Sequence, residues 1–243
     1  MSYIDEQKSS NPLLNTKMFQ GSFASNQELM TLDGTINKLG FSFIFLLISA
    51  CYGWFNFNPG LIVVGAIGGF ITAMVTVFKK TWSPYTVPVY AILEGLCLGA
   101  LSFLFEQKYP GIALQAVLLT LLVLSLMLGA YRSNLIRATP RFRKMVIFAT
   151  GAICLMYLLN LVMGLFGSGL SIINSSSPMG IGLSLFIVGI ASMNLVLDFD
   201  FIEKASKEGL PKYMEWYAAF SLLVTLVWLY IEILRLLAKL RKK

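Results

Sequence analysis

From Leu39 onward the chain alternates long apolar runs with short polar breaks. The hydrocarbon core of a bilayer is about 30 Å thick and a helix rises about 1.5 Å per residue, so a spanning helix needs about 20 mostly apolar residues. Seven runs meet that length: Leu39–Phe57, Gly60–Phe78, Val87–Phe105, Ile112–Tyr131, Met145–Phe166, Met179–Ile202 and Trp216–Leu234. The breaks carry helix-stopping residues, as at Asn58-Pro59, Trp82-Ser83-Pro84, Tyr109-Pro110-Gly111, Thr139-Pro140 and Ser177-Pro178. This pattern predicts an all-α integral membrane protein. Residues 1–35 are polar and mixed, without a basic segment leading into an apolar one, and are expected as a flexible cytoplasmic tail with no cleavable signal peptide. Residues 36–238 form the predicted seven-helix domain, and residues 239–243 a basic tail.

Composition agrees. Of 243 residues, 57% are hydrophobic and only 13% charged, about half the charged share of a soluble domain. The net charge of +7 lies in clusters between apolar runs rather than along a groove, which points to the lipid bilayer as partner and away from nucleic acid. Basic loops stay cytoplasmic. Lys79 and Lys80, then Arg132, Arg137, Arg141, Arg143 and Lys144, then Lys204, Lys207 and Lys212 all fall in alternate loops, whereas the other loops hold only Lys108. The N-terminus is therefore expected inside and, after seven crossings, the C-terminus outside. The tail Arg235, Lys239, Arg241, Lys242, Lys243 breaks this rule. Either the last segment is incompletely inserted, or the earlier loops override the tail; seven full spans are the favoured reading.

The chain has no histidine, which removes Ser-His and Cys-His nucleophiles, the HExxH metalloprotease and an imidazole pH switch. Cys51, Cys97 and Cys154 sit inside apolar runs without a CxxC spacing and read as buried, inert thiols. Phosphate-binding and dinucleotide fingerprints are missing, as is the GxGD of intramembrane aspartyl proteases, so neither an enzyme nor a resident cofactor is expected. What remains is acid within hydrocarbon, which is costly and marks function by default. The candidates are Glu94 in the third span, Asp198 and Asp200 near the inner end of the sixth, and Glu232 in the seventh. Glu94 and Asp198 reach similar depths, with Asn194 one turn from Asp198, so the two acids are expected to meet and to share a proton as a switch. Asp200 and Glu203 have a plainer reading as interfacial residues, and Glu232 as an ion-pair partner of Arg235. Asn160 reads as interhelical glue. Gly65, Gly68, Gly69, Gly95, Gly99, Gly180, Gly182 and Gly189 read as packing seams.

The stretch Asn194-Leu-Val-Leu-Asp198-Phe-Asp200-Phe-Ile-Glu203, followed by Glu215-Trp-Tyr-Ala-Ala-Phe and by Leu226-Val-Trp-Leu-Tyr-Ile-Glu232-Ile-Leu-Arg235-Leu-Leu, resembles the Bax inhibitor-1/YccA family, and more narrowly a bacterial branch. Ser10-Asn11-Pro12 and Pro88 through Gly99 support it. The resemblance implies seven helices with the last one central, a bacterial inner-membrane location, and either a proton-sensitive calcium leak gated by aspartates on helices six and seven or a modulator of membrane machinery. The helix-six aspartate matches Asp198, with Asp200 second; the helix-seven position falls on Thr225 or on Glu232, depending on the register chosen. The leading expectation is a proton-gated cation leak in which Asp198 and Glu94 hold Ca2+ transiently, oxygen ligands being suited to a hard cation. The alternative is a non-conducting regulator that binds a membrane protease or another membrane protein through its N-terminal tail.

Overall fold

The computed structural model describes residues 28–167, 169–170, 173 and 175–242. Among these, seven helices are long and apolar enough to cross a membrane: α1 Leu32–Phe55, α2 Pro59–Phe78, α3 Ser83–Lys108, α4 Ile112–Arg132, α5 Pro140–Leu165, α6 Pro178–Lys207 and α7 Met214–Arg241. Most of the tail expected over residues 1–35 lies outside the described residues. Its last part does not: α1 begins at Leu32, capped by the Thr31 hydroxyl on the Gly34 amide.

Three of the predicted breaks are helix starts. Asn58, Thr139 and Ser177 each place a side-chain oxygen on an amide of the first turn, and the following proline takes the first helical position, where no amide is needed. Several helices outrun the apolar segments that announced them. α3 starts at Ser83 and carries Pro88 inside it, α5 starts at Pro140 and α6 continues to Lys207. Their polar ends project past the apolar thickness.

α7 packs against α1, α3, α4 and α6, and its buried face runs from Met214 to Lys239. Its core partners include Leu195 and Phe199 of α6, Ile112 and Ala116 of α4, and Tyr90 and Leu98 of α3. α2 packs on α3, and α5 chiefly on α6. Outward faces carry Phe41, Ile48, Phe70, Phe148, Leu161 and Phe186 in the open, a surface suited to acyl chains rather than water. Cys51 and Cys154 are on that outward surface, correcting the expectation of three buried thiols; only Cys97 is buried.

The closest helix contacts run through glycine. A Cβ at Gly99 would strike the Ala50 carbonyl of α1, and one at Gly95 would strike Ser49 and the Leu46 carbonyl. Gly65 and Gly69 face α3 in the same manner. Gly182 and Gly189 face open space instead, so the expected seam on α6 does not run through them.

The first and last described residues mark opposite ends of the bundle. Glu28–Thr31 pairs with Leu210–Lys212 in the connection from α6 to α7, through Met30 N–H to Leu210 O at 2.7 Å and Lys212 N–H to Glu28 O at 2.9 Å. At the other end Arg241 donates to the Pro110 carbonyl and to Gln115, and Lys239 to the Gly180 carbonyl at 3.0 Å and Ser184 at 2.7 Å. α7 therefore runs the full length of the bundle and is long and apolar enough for a seventh span. Two of the basic residues that broke the charge pattern, Lys239 and Arg241, thus have uncharged oxygen acceptors of their own.

Candidate functional site

Asp198 stands on the face of α6 that meets α7. Its side chain is buried, at 7% exposure, and Oδ1 accepts a hydrogen bond from the Ser221 hydroxyl of α7. One turn further along α7, on the same face, Thr225 donates its hydroxyl to the Ser221 carbonyl. Oδ2 of Asp198 has no hydrogen-bond partner among the described residues. Of the two helix-seven positions left open by the sequence, the structure brings Thr225 to Asp198 and puts Glu232 elsewhere. Ser221, which the sequence reading passed over, is the residue in direct contact; it lies one turn before Thr225 and shares its face.

The other acids are dispersed. Glu94 lies in the seam between α2 and α3, with Oε2 over the bare backbone of Gly69 and Tyr90 alongside. The expected meeting of Glu94 with Asp198 is not found: the carboxyl of Asp198 is engaged by α7, and that of Glu94 faces α2. Depth along a span was judged from residue count, but the direction a side chain faces depends on the order of helices around the bundle. Asp200 is clamped by Arg143 at 2.6 Å and Lys204 at 2.7 Å, tying α6 to the start of α5. Glu203 accepts from Tyr131 of α4 and from Lys207. Asn194 donates to Thr150 of α5 and to the Ile190 carbonyl. Asn160 holds the Leu170 amide beyond the end of α5, so it orders a connection rather than joining two helices.

Glu232 is a more deeply buried carboxyl group, at 2% exposure. Tyr157 of α5 donates to its Oε1 at 2.8 Å and Arg235 approaches the same oxygen at 3.4 Å while stacking over the Tyr157 ring. Oε2 has no partner among the described residues. The ion pair expected with Arg235 is present, with Tyr157 as a further member. Thr225 and Glu232 are seven residues apart, about 10 Å along the helix, so this cluster occupies a different level from Asp198.

One further buried acid escaped the sequence reading. Glu215 opens α7 at 0% exposure, accepts from the amide and hydroxyl of Thr31 at 3.0 Å each, and lies 3.3 Å from Lys212. Gly34 leaves the room it needs, since a Cβ there would overlap the carboxyl. Met30 is buried in the same place against Ala205, Met214 and Ala218. The signals were present, an acid three residues after Lys212 and a Thr-x-x-Gly before an apolar run, but an acid at a helix start is ordinarily hydrated.

Among the described residues no three His, Cys, Asp or Glu side chains converge as a metal-binding set. The acids are dispersed over the helix interfaces: hydroxyls, a phenol or basic side chains hold Asp198, Asp200, Glu203, Glu215 and Glu232, and Glu94 lies against Gly69. Seven spanning helices with isolated buried carboxyls define a polytopic membrane protein. Residues 11–242 match the family model described as Bax inhibitor 1 like. The chain belongs to the Bax inhibitor-1-like family. A comparison with curated proteins gives no match.

Proposed function

We propose that the protein is a non-enzymatic, pH-sensitive leak for calcium or a similar cation across a bacterial inner membrane, oriented with its N-terminus in the cytoplasm and its C-terminus outside. The observation that carries this reading is Asp198, buried at the α6–α7 contact with one oxygen on Ser221 and the other without a donor among the described residues. An ionised carboxylate only accepts hydrogen bonds, whereas a protonated one also donates. The two protonation states therefore call for different arrangements of Ser221 and Thr225, so proton binding at Asp198 biases how α6 and α7 pack. Ionised, the same oxygen is a ligand of the kind calcium takes. Glu94 and Glu232, at other helix contacts, are the further acids a cation or a proton would meet. Membership of the Bax inhibitor-1-like family, with the resemblance of Asp198-Phe-Asp200 and its flanks to a bacterial branch, is consistent with the same assignment.

Calcium flux into liposomes across a pH series tests the proposal. Asp198→Asn is expected to abolish the pH response, and Glu94→Gln to lower flux while keeping it. Flux and pH response unchanged in both variants would refute the leak.

A second reading is favoured by the docking of Glu28–Thr31 on Leu210–Lys212, which holds residue 28 at the connection from α6 to α7. Residues 1–27 would then be a handle for a membrane protease or another membrane protein. Deleting them separates the readings: a regulator loses co-purifying partners, and a leak keeps its flux.

A further inference from the structure

A cavity of about 790 Å³ opens at the basic end of the bundle between α1, α4, α6 and the connection from α4 to α5. Its floor is apolar, formed by Leu39, Leu124, Leu128, Phe199 and Leu222, and Arg132, Arg137 and Lys207 stand in its wall. α1 and α4 are not packed along each other, and the cavity lies in the gap between them. Two carboxylates, Asp200 and Glu203, also line it, but Arg143 and Lys204 neutralise the first and Lys207 the second. Arg132 and Arg137 enter no ion pair among the described residues, and both are exposed. The net charge around the opening is positive, above a floor that water fills poorly.

We infer that this cavity is a binding site for one anionic phospholipid, with its phosphate between Arg132 and Arg137 and an acyl chain over the leucine floor. Charge complementarity selects an anionic head, because basic pockets between spanning helices attract such lipids and guanidinium groups pair with phosphate through two parallel hydrogen bonds. The apolar floor selects a lipid over a free anion, which would leave that surface wet. The inference is independent of the leak: it uses neither Asp198 nor Glu94.

Native mass spectrometry of the full chain, released from bilayers of phosphatidylglycerol and phosphatidylcholine, tests it. One phosphatidylglycerol per chain is expected to be retained in preference to phosphatidylcholine. Arg132→Ala with Arg137→Ala is expected to weaken that retention by about thirtyfold, the loss of two surface cations near a phosphate. Ile36→Trp, which fills the mouth of the cavity without changing charge, is expected to reduce it as well, and Lys144→Ala, on the same end but outside the cavity, to leave it intact. The inference is overturned by equal retention of both lipids, by an arginine double variant or an Ile36→Trp variant that behaves as the parent, or by a Lys144→Ala loss as large as the arginines'. Phosphatidylglycerol bound only after deletion of residues 1–27 also overturns it, because the chain's own segment would then be the occupant.

Discussion

Asp198 on α6 takes its hydrogen bond from Ser221 on α7, and among the described residues its second oxygen receives none. A buried acid with a single donor depends on that donor. Ser221→Ala is expected to cost about 1–3 kcal/mol, the usual penalty for stranding a buried polar group. In an Asp198→Leu background the same change is expected to cost much less, since nothing is stranded. Thermal unfolding of the four proteins in one detergent gives the coupling; strictly additive losses would show that the two side chains do not interact.

The helix seams offer a contrast within one residue type. Gly99→Ala puts a methyl group into the Ala50 carbonyl and is expected to lower the unfolding temperature markedly, overpacking of this kind costing about 1–3 kcal/mol. Gly182→Ala meets nothing within contact distance and is expected to be neutral or slightly stabilising, helix propensity favouring alanine. Equal effects at the two sites would contradict the α1–α3 approach described above.

Lys212 lies between the last two spans, and its hydrogen bond to Glu215, with help from Glu28, raises its pKa above the ordinary lysine value of 10.5. A raised folded-state pKa adds stability that is complete below the ordinary value and is lost as the pH climbs through the raised one. The pairing of Glu28–Thr31 with this loop is therefore expected to hold through neutral pH and to loosen in alkaline solution above that ordinary value. Limited proteolysis at residues 28–31 reads it out. Lys212→Met should remove the alkaline step, and a step of unchanged size in that variant would assign it to another group.

The two ends of α7 lie at opposite ends of the bundle. A cysteine at Lys207 and a cysteine at Lys242, each in a background without Cys51, Cys97 and Cys154, are expected to be labelled by an impermeant maleimide from opposite faces of sealed vesicles. Labelling of both from one face would mean that α7 does not cross.

Much of this architecture was legible in the chain. Apolar runs of about 20 residues admit few readings in a bilayer, and caps such as Asn58, Thr139 and Ser177 are local signals that need no neighbour to interpret. The polar ends of α3, α5 and α6 were missed because hydropathy stops at the lipid boundary while the helices continue. The site was only half legible. Asp198 stood out as an acid in hydrocarbon, but its partners did not, since Ser221 is one of many serines and its meaning comes from facing α6. Glu94 stood out for the same reason and turned toward Gly69, because a residue's depth along a span leaves its direction around the helix axis undetermined. Glu215 looked like an ordinary charge at a helix start until Thr31 and Gly34 closed over it.

The acceptors of Lys239 and Arg241 belong to α6, to α4 and to the turn before α4. These elements are all synthesised before α7, so the cations at its far end reach partners that already exist when it emerges. Without those elements in place the Lys239 ammonium, buried in the folded bundle, would have neither the Gly180 carbonyl nor the Ser184 hydroxyl to receive it.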